Sequence, residues 1–186
     1  MKKLKKQSGF TLVEMLACTI TLVLIAGICA TGMQVAVRSY YASIFESNSQ
    51  MLESTLDLYL KDILRYASNV EVGEVDAESQ TCEVLGLSNP SYQMVGGMIS
   101  VGTSGESEGR MVVYDRAEGV EGRNEVLLIG KNVYADTLYI DSLSVRYNVN
   151  TKCFEGTYTI KCTMLPEVER ACVFACRSVV AEINIP

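Results

Sequence analysis

The stretch FTLVEMLACTITLVLIAGICATGM, residues 10–33, follows a basic leader, MKKLKKQSG, at residues 1–9. In residues 10–37 the one charged side chain is Glu14. A helix rises about 1.5 Å per residue, so roughly 20 such residues cross the core of a bilayer. Lysines cluster before this run and Arg38 follows it. Since the denser positive charge stays on the cytoplasmic side, the pattern predicts a single-pass protein whose body lies outside the membrane.

The leader differs from an ordinary secretory signal. Such a signal has an apolar core of about 7–15 residues, with small residues marking a cut after that core. Here the small residue, Gly9, precedes the apolar run. A cut between Gly9 and Phe10 would therefore leave the membrane segment on the mature protein.

The helix is expected to continue beyond the membrane segment. From Gln34 to Asn69 the sequence has neither proline nor glycine. Apolar residues recur there at spacings of three and four, which marks one helical face. These residues are Leu52, Leu56, Tyr59, Leu60, Ile63 and Ala67. We predict one helix over about residues 10–68 that ends near Asn69.

After residue 70, short β-rich runs alternate with glycine-, serine- and acid-rich breaks, which is typical of strands and turns. The predicted strands are Cys82–Leu87, Gln93–Val101, Arg110–Tyr114, Glu125–Ile129, Leu143–Val149, Gly156–Met164 and Ser178–Ile185. The segments 102–109 and 116–123 are predicted surface loops. The sequence thus predicts an α+β fold, with an antiparallel sheet packed on the second half of the helix.

Four parts follow from these patterns. Residues 1–9 are the leader, 10–37 the membrane half of the helix, 38–70 its amphipathic half, and 71–186 a β-rich domain. Removing the four leader lysines leaves 12 Lys+Arg against 22 Asp+Glu, a net charge of −10. An acidic body disfavours nucleic acid as a broad electrostatic partner.

The residue types exclude most catalytic arrangements. There are no histidines among the 186 residues, so the commonest general base and metal ligand is missing. No glycine-rich phosphate loop and no GxSxG motif occurs. We expect no enzymatic activity, no cofactor and no metal site.

Of seven cysteines, Cys18 and Cys29 lie in the apolar stretch and are expected to act as small apolar side chains. The remaining five are Cys82, Cys153, Cys162, Cys172 and Cys176. Disulfides form outside the cytoplasm. If the last two predicted strands form a hairpin, Cys162 approaches either Cys172 or Cys176, and we predict one bridge there.

Glu14 has two interpretations. It can snorkel to the cytoplasmic interface, as charged residues near helix ends do. Alternatively, a cut after Gly9 gives Phe10 a free α-amine with a pKa near 8, and this cation is a natural partner for the carboxylate. In a filament of staggered helices, Glu14 of one chain can meet the amine of its neighbour.

The string KKQSGFTLVEML, residues 5–16, closely resembles the leader of type IV pilins and pseudopilins. There a basic leader ends in glycine, phenylalanine follows, and a glutamate lies four residues further on. The resemblance implies that a prepilin peptidase cuts after Gly9 and methylates the amine of Phe10, and that Glu14 guides assembly. It also implies a long N-terminal helix capped by a β-sheet domain. The membrane run lacks the proline of many major pilins.

The partners that this resemblance implies are other pilin or pseudopilin subunits, the peptidase, and a membrane assembly platform with its cytoplasmic motor. Some pseudopilins bind calcium, so the acidic loop Gly73–Glu78 stays open as a calcium site, although it lacks an EF-hand pattern.

Three functions remain open from the sequence. The first is a subunit, of a minor kind, in a type IV pilus, a type II secretion pseudopilus or a competence pseudopilus. The second is a membrane-anchored binding module or receptor that never polymerises. The third is a filament-tip subunit that binds DNA or a secreted substrate, and the acidic body weighs against DNA.

Overall fold

A computed structural model describes residues 11–135, 137–179 and 183–184. Its long helix, α1, runs from Leu12 to Arg65. This confirms the predicted helix, which ends three residues earlier than expected. The chain divides into two compact units, residues 1–41 and 42–186.

In the first unit, the described part of α1 is apolar and exposed. An 18-residue window of this helix has a mean hydropathy of 2.3, and none of it is buried within the protein. Leu12 and Ile28 are 82% and 71% exposed. By length and composition the helix can cross a membrane. A core helix of a soluble domain is mostly buried, whereas this window is exposed among the described residues.

In the second unit, α1 becomes amphipathic. Its buried residues follow the predicted spacing of three and four. They are Phe45, Ser49, Leu52, Leu56, Leu60, Ile63 and Leu64. Tyr59, which the sequence placed on the same face, is partly buried against this core. The buried face of α1 thus begins at Phe45, beyond its exposed apolar part.

The remainder of the second unit is mostly β-structure. The strands are β1 Ser68–Val72, β2 Thr81–Asn89, β3 Met94–Gly97, β4 Ile99–Val101, β5 Met111–Tyr114, β6 Glu125–Leu127, β7 Leu138–Asn148, β8 Cys153–Cys162, β9 Glu169–Arg177 and β10 Ile183–Asn184. Short 3₁₀ helices occupy Pro90–Tyr92, Gly105–Ser107 and Lys131–Tyr134. Among the described residues, the larger sheet has the order β10-β1-β2-β7-β8-β9, with β3 also paired to β2, and the smaller sheet is β4-β5-β6.

One side of the larger sheet is a long antiparallel meander of β7, β8 and β9, in which β9 is the edge strand. Side chains on β8 alternate between the two faces, as the period of two requires. Phe154, Tyr158 and Ile160 are almost fully buried. They form one core with the leucines of α1, so the α+β layout is confirmed.

The structure corrects several strand boundaries. The predicted strand Ser178–Ile185 is wrong, since β9 lies earlier and the described residues at the C-terminus contribute only the short β10. Strand β10 pairs with β1 in parallel, so the sheet is not purely antiparallel. The predicted helix end near Asn69 leaves no place for strand β1, which begins at Ser68. Asn69 does have a positive φ of 47°, but the chain enters the sheet directly there.

Another predicted strand, Gln93–Val101, is divided between the two sheets as β3 and β4. Gly97 explains the division. A Cβ at this position would collide with the backbone carbonyl of Tyr114, which lies against it. The close approach of the two backbones is possible because glycine has no side chain.

Gly156 supplies a direct test of this packing. A Cβ there would collide with the ring of Phe174 and with the backbone oxygen of Ser144 on the neighbouring strand. We expect Gly156→Ala to lower the free energy of unfolding of the 42–186 unit by about 1–3 kcal/mol, as overpacking does. Denaturant unfolding followed by circular dichroism measures this. Gly130→Ala is the matched control, since Gly130 has open space around it and a negative φ of −59°. Equal stability of both variants would contradict the packing.

Candidate functional site

The predicted processing site, Gly9 and Phe10, lies outside the described residues. The described chain begins at Thr11, one residue beyond the predicted cut, and α1 follows immediately. Of the residues that the sequence singled out near the leader, Glu14 can therefore be placed, in the first turn of the helix.

Glu14 caps its own helix. Its Oε2 accepts a hydrogen bond from the backbone N–H of Thr11 at 2.8 Å and another from the Thr11 hydroxyl at 2.9 Å. The backbone N–H of Glu14 in turn donates to Thr11 Oγ1 at 3.3 Å. This reciprocal arrangement is a capping box, which satisfies N–H groups that have no partner inside the helix.

The capping role was not predicted, although the spacing of Thr11 and Glu14 would have indicated it. Capping is a third explanation for a charged side chain at this position, in addition to snorkelling and pairing with an α-amine. Negative charge is also favourable at the positive end of a helix dipole. Because an ionised carboxylate has several acceptor positions, the cap leaves Glu14 able to accept from a further cation.

The threonines in the apolar half of α1 keep their hydroxyls bonded to the helix itself. Thr19 donates to the carbonyl of Leu16 at 2.8 Å. Thr21 and Thr31 each donate to a carbonyl three residues earlier, at 2.9 and 3.0 Å. Lipid or another apolar helix offers these hydroxyls no hydrogen-bond partner, so the bonds within the helix satisfy them instead. These hydroxyls are therefore compatible with an apolar environment.

The predicted disulfide is not formed. Cys162, Cys172 and Cys176 are free thiols in the structure. Strand register gives the reason, since Cys172 lies opposite Tyr158 and Cys176 opposite Phe154. On β8, Cys162 is four residues away from Tyr158, which corresponds to about 13 Å along the strand. A disulfide needs Cα atoms closer than about 7 Å.

Burial also raises the pKa of the Cys172 thiol, to about 11. It therefore stays protonated at neutral pH, and a protonated thiol is a poor nucleophile and a poor metal ligand. Within the described residues, no group of three or more Cys, Asp or Glu side chains has a geometry that could hold a metal ion. In the acidic loop, Asp76 already accepts from the backbone N–H of Glu78 and the hydroxyl of Ser79.

A charged cluster joins β9 to the helix. Arg170 Nε lies 2.6 Å from Glu53 Oε2, and its Nη1 lies 2.8 Å from Glu46 Oε1. The Tyr158 hydroxyl donates to the backbone oxygen of Glu53 at 3.2 Å. Arg170 is partly shielded from water, with 28% of its side chain exposed. The cluster fixes the edge of the sheet against α1, and nothing in the sequence spacing indicated it.

An open groove of about 970 Å³ lies beside this edge. Tyr59, Tyr66 and Tyr92 contribute aromatic surface, and Arg65 and Arg177 contribute positive charge. The Tyr92 hydroxyl donates to Asp62 at 3.0 Å. Burial and this bond raise the pKa of Tyr92 to about 12, so that it remains a neutral donor. The groove offers a mixed aromatic and cationic surface.

Comparisons with known proteins add no further assignment. No protein-family model, no curated protein and no solved structure matches the chain.

Proposed function

We propose that the chain is a prepilin-like subunit, cut after Gly9 and assembled through α1 into a type IV pilus, a type II secretion pseudopilus or a competence pseudopilus. The observation that carries the proposal is the motif of residues 5–16, which runs into the start of α1. The first 30 residues of this helix, Leu12 to Tyr41, are exposed, and its later part belongs to a domain core. We infer a minor subunit, because the β-domain is long and the cysteine usage irregular.

The exposed apolar half of α1 needs a covering partner. From Leu12 to Tyr41 every described residue is exposed. So much apolar surface is unfavourable in water and marks a membrane or protein contact. Lipid meets this need before assembly, and like helices meet it in a filament. In this proposal the N-terminus is cytoplasmic and the β-domain lies outside the cell membrane.

Glu14 gives the assembly its register. The carboxylate is the one charge within residues 10–37, so a helix packed among like helices must bring it a partner. Once the leader has been removed, Phe10 carries an α-amine that is positively charged at neutral pH. On an adjacent subunit, this amine can serve as the cation that pairs with Glu14. The capping bonds to Thr11 hold the carboxylate in the first turn of the helix.

The alternative is a membrane-anchored binding module that does not polymerise. The groove lined by Tyr59, Tyr66 and Tyr92 favours it, because aromatic surface with nearby arginines is common where proteins bind partners. Such a module would use α1 only as an anchor. It would need no cut after Gly9, and this separates the two proposals.

Processing is the first test. We expect the mature protein to begin at Phe10 with a methylated α-amine, as mass spectrometry of its N-terminal peptide would show. Replacing Gly9 with a bulky residue should leave the precursor uncut in the membrane fraction. A mature protein that retains residues 1–9 would exclude the pilin proposal and favour the anchored module.

Glu14→Gln tests the charge separately from the cap. A glutamine at this position can still accept from the Thr11 N–H, since either Glu or Gln completes a capping box. We expect normal processing but incorporation into sheared filaments reduced by at least about tenfold, because the neighbour's amine is left unpaired. Co-expression with the wild-type subunit allows the variant to be counted in the same filaments.

Thr11→Val is the matched control for this experiment. It removes the hydroxyl that bonds Glu14 but keeps the carboxylate and its bond to the backbone N–H. We expect its incorporation to remain close to that of the wild type. Glu14→Gln incorporated as well as the wild type would contradict the pairing, and Glu14 would then serve only as a cap at the membrane interface.

A further inference from the structure

Strand β9 leaves one edge of the larger sheet open. It pairs with β8 along its whole length, from Glu169 to Arg177. In the part of the chain that the structure describes, no strand pairs with its other side. An open edge presents unpaired backbone donors and acceptors, which can pair with another strand.

The outward face of β9 is complementary to itself. Alternate residues from Glu169 to Arg177 point away from the core, and all of them are exposed. In order they are Glu169, Ala171, Val173, Ala175 and Arg177. Read backwards, the series has the same pattern with the two charges exchanged, and Val173 is at its centre.

We propose that β9 pairs antiparallel with β9 of a second copy of this chain, about a two-fold axis at Val173. Each Glu169 then lies opposite Arg177 of the other copy, which gives two ion pairs of opposite charge across the strands. The alanines face each other, and the two Val173 side chains, each 73% exposed in one copy, cover one another. The symmetric contact uses the same patch on both partners.

The inward face of β9 does not prevent this pairing. Inward-pointing charges protect many natural sheet edges. Here the inward charge, Arg170, is already held by Glu53 and Glu46 of its own helix. On the outward face Glu169 approaches Lys161 at 3.8 Å, but that lysine has a closer partner in Asp141 at 2.8 Å. The Glu169 side chain, 62% exposed, is open to an arginine of the second copy.

The pairing fixes the relative direction of the two copies. Strand β9 runs in the same direction as the nearby part of α1, because Arg170 contacts Glu53 whereas Cys176 contacts the backbone of Lys61. A two-fold axis at Val173 therefore sets the two 42–65 segments antiparallel. Neighbours within one filament or one membrane share a direction. Under the proposed function the contact therefore joins copies from opposing filaments or opposing membranes. The pairing of the two β9 strands itself does not depend on that function.

Cysteine cross-linking of the full-length chain in detergent tests the register. Directly opposed residues of an antiparallel pair have Cα atoms about 4.5–5.5 Å apart, which is within the range of a disulfide. Val173→Cys should give an oxidised dimer whose linked peptide joins residue 173 to residue 173. Ala171→Cys mixed with Ala175→Cys should also cross-link, whereas Ala171→Cys alone should not, because its two copies lie about 13 Å apart along the strands.

The parent chain, oxidised in parallel, shows the background from the seven native cysteines. Mass spectrometry of the linked peptides separates that background from the new bridges. Absence of the 173–173 peptide would overturn the proposal. Self-linking of Ala171→Cys as strong as that of the mixed pair would overturn it as well.

Charge exchange tests the ion pairs in the Val173→Cys chain. Glu169→Arg places arginine opposite arginine at both ends of the contact, and Arg177→Glu does the same with glutamate. Each change should reduce the 173–173 yield by about tenfold, since like charges directly opposite each other destabilise a strand pair. The double variant Glu169→Arg with Arg177→Glu restores opposite charges, and its yield should return to within about twofold of the parent. A double variant as weak as the single ones would overturn the charge pairing.

Discussion

The packing of one helical stripe against one face of the sheet is the contact on which the 42–186 unit depends. Leu52, Leu56 and Leu60 are fully buried in it, and Phe154 and Phe174 meet them from β8 and β9. Each such side chain contributes about 1.5–3 kcal/mol when it leaves water. The opposite face of β8 carries polar, at least partly exposed residues such as Glu155, Thr157 and Lys161, whereas its apolar side chains share one core with the helix. The helix is therefore the second layer of the domain, and it is continuous with the exposed apolar segment that begins at Leu12.

Polar contacts then fix where the sheet lies along that stripe. Apolar burial is not directional, so leucines alone would permit the sheet to slide along the helix. Arg170 bonds to Glu53 and Glu46 at one end, and the Asn89 side chain donates to the backbone oxygen of Ile63 at 2.9 Å at the other. The bonds of Arg170 are charge-assisted, and such bonds are short and specific in geometry. They determine the position of β9 relative to α1.

The parts that could be predicted from the sequence are those set by local pattern. The helix follows from spacing and from the absence of proline and glycine, and β2, β5 and β6 follow from β-rich runs between turn residues. Strand β9 was missed because its sequence, ERACVFACR, carries charge at both ends and lies close to a run that is richer in β-branched residues. The cysteine pairing failed for a related reason. It depends on strand register, and a shift in the predicted hairpin changes every partner.

The same difference applies to the candidate sites. Glu14 was singled out because it is one charge in an apolar helix, but its cap with Thr11 in the first turn was not predicted. The contacts of Arg170 were not predicted either, because Glu46 and Glu53 lie more than a hundred residues away.

Strand β9 divides two tasks between its two faces. Its inward residues, Arg170, Cys172 and Phe174, hold the strand to the helix and to the core. Its outward residues contact little else in the described chain, so the fold places few demands on them. Surface substitutions away from packed or bonded groups usually change stability by less than about 0.5 kcal/mol. The fold therefore does not determine which residues occupy this outward face, and a contact with another chain can do so. A contact between two identical strands requires an arrangement that is symmetric about its centre, as this one is about Val173.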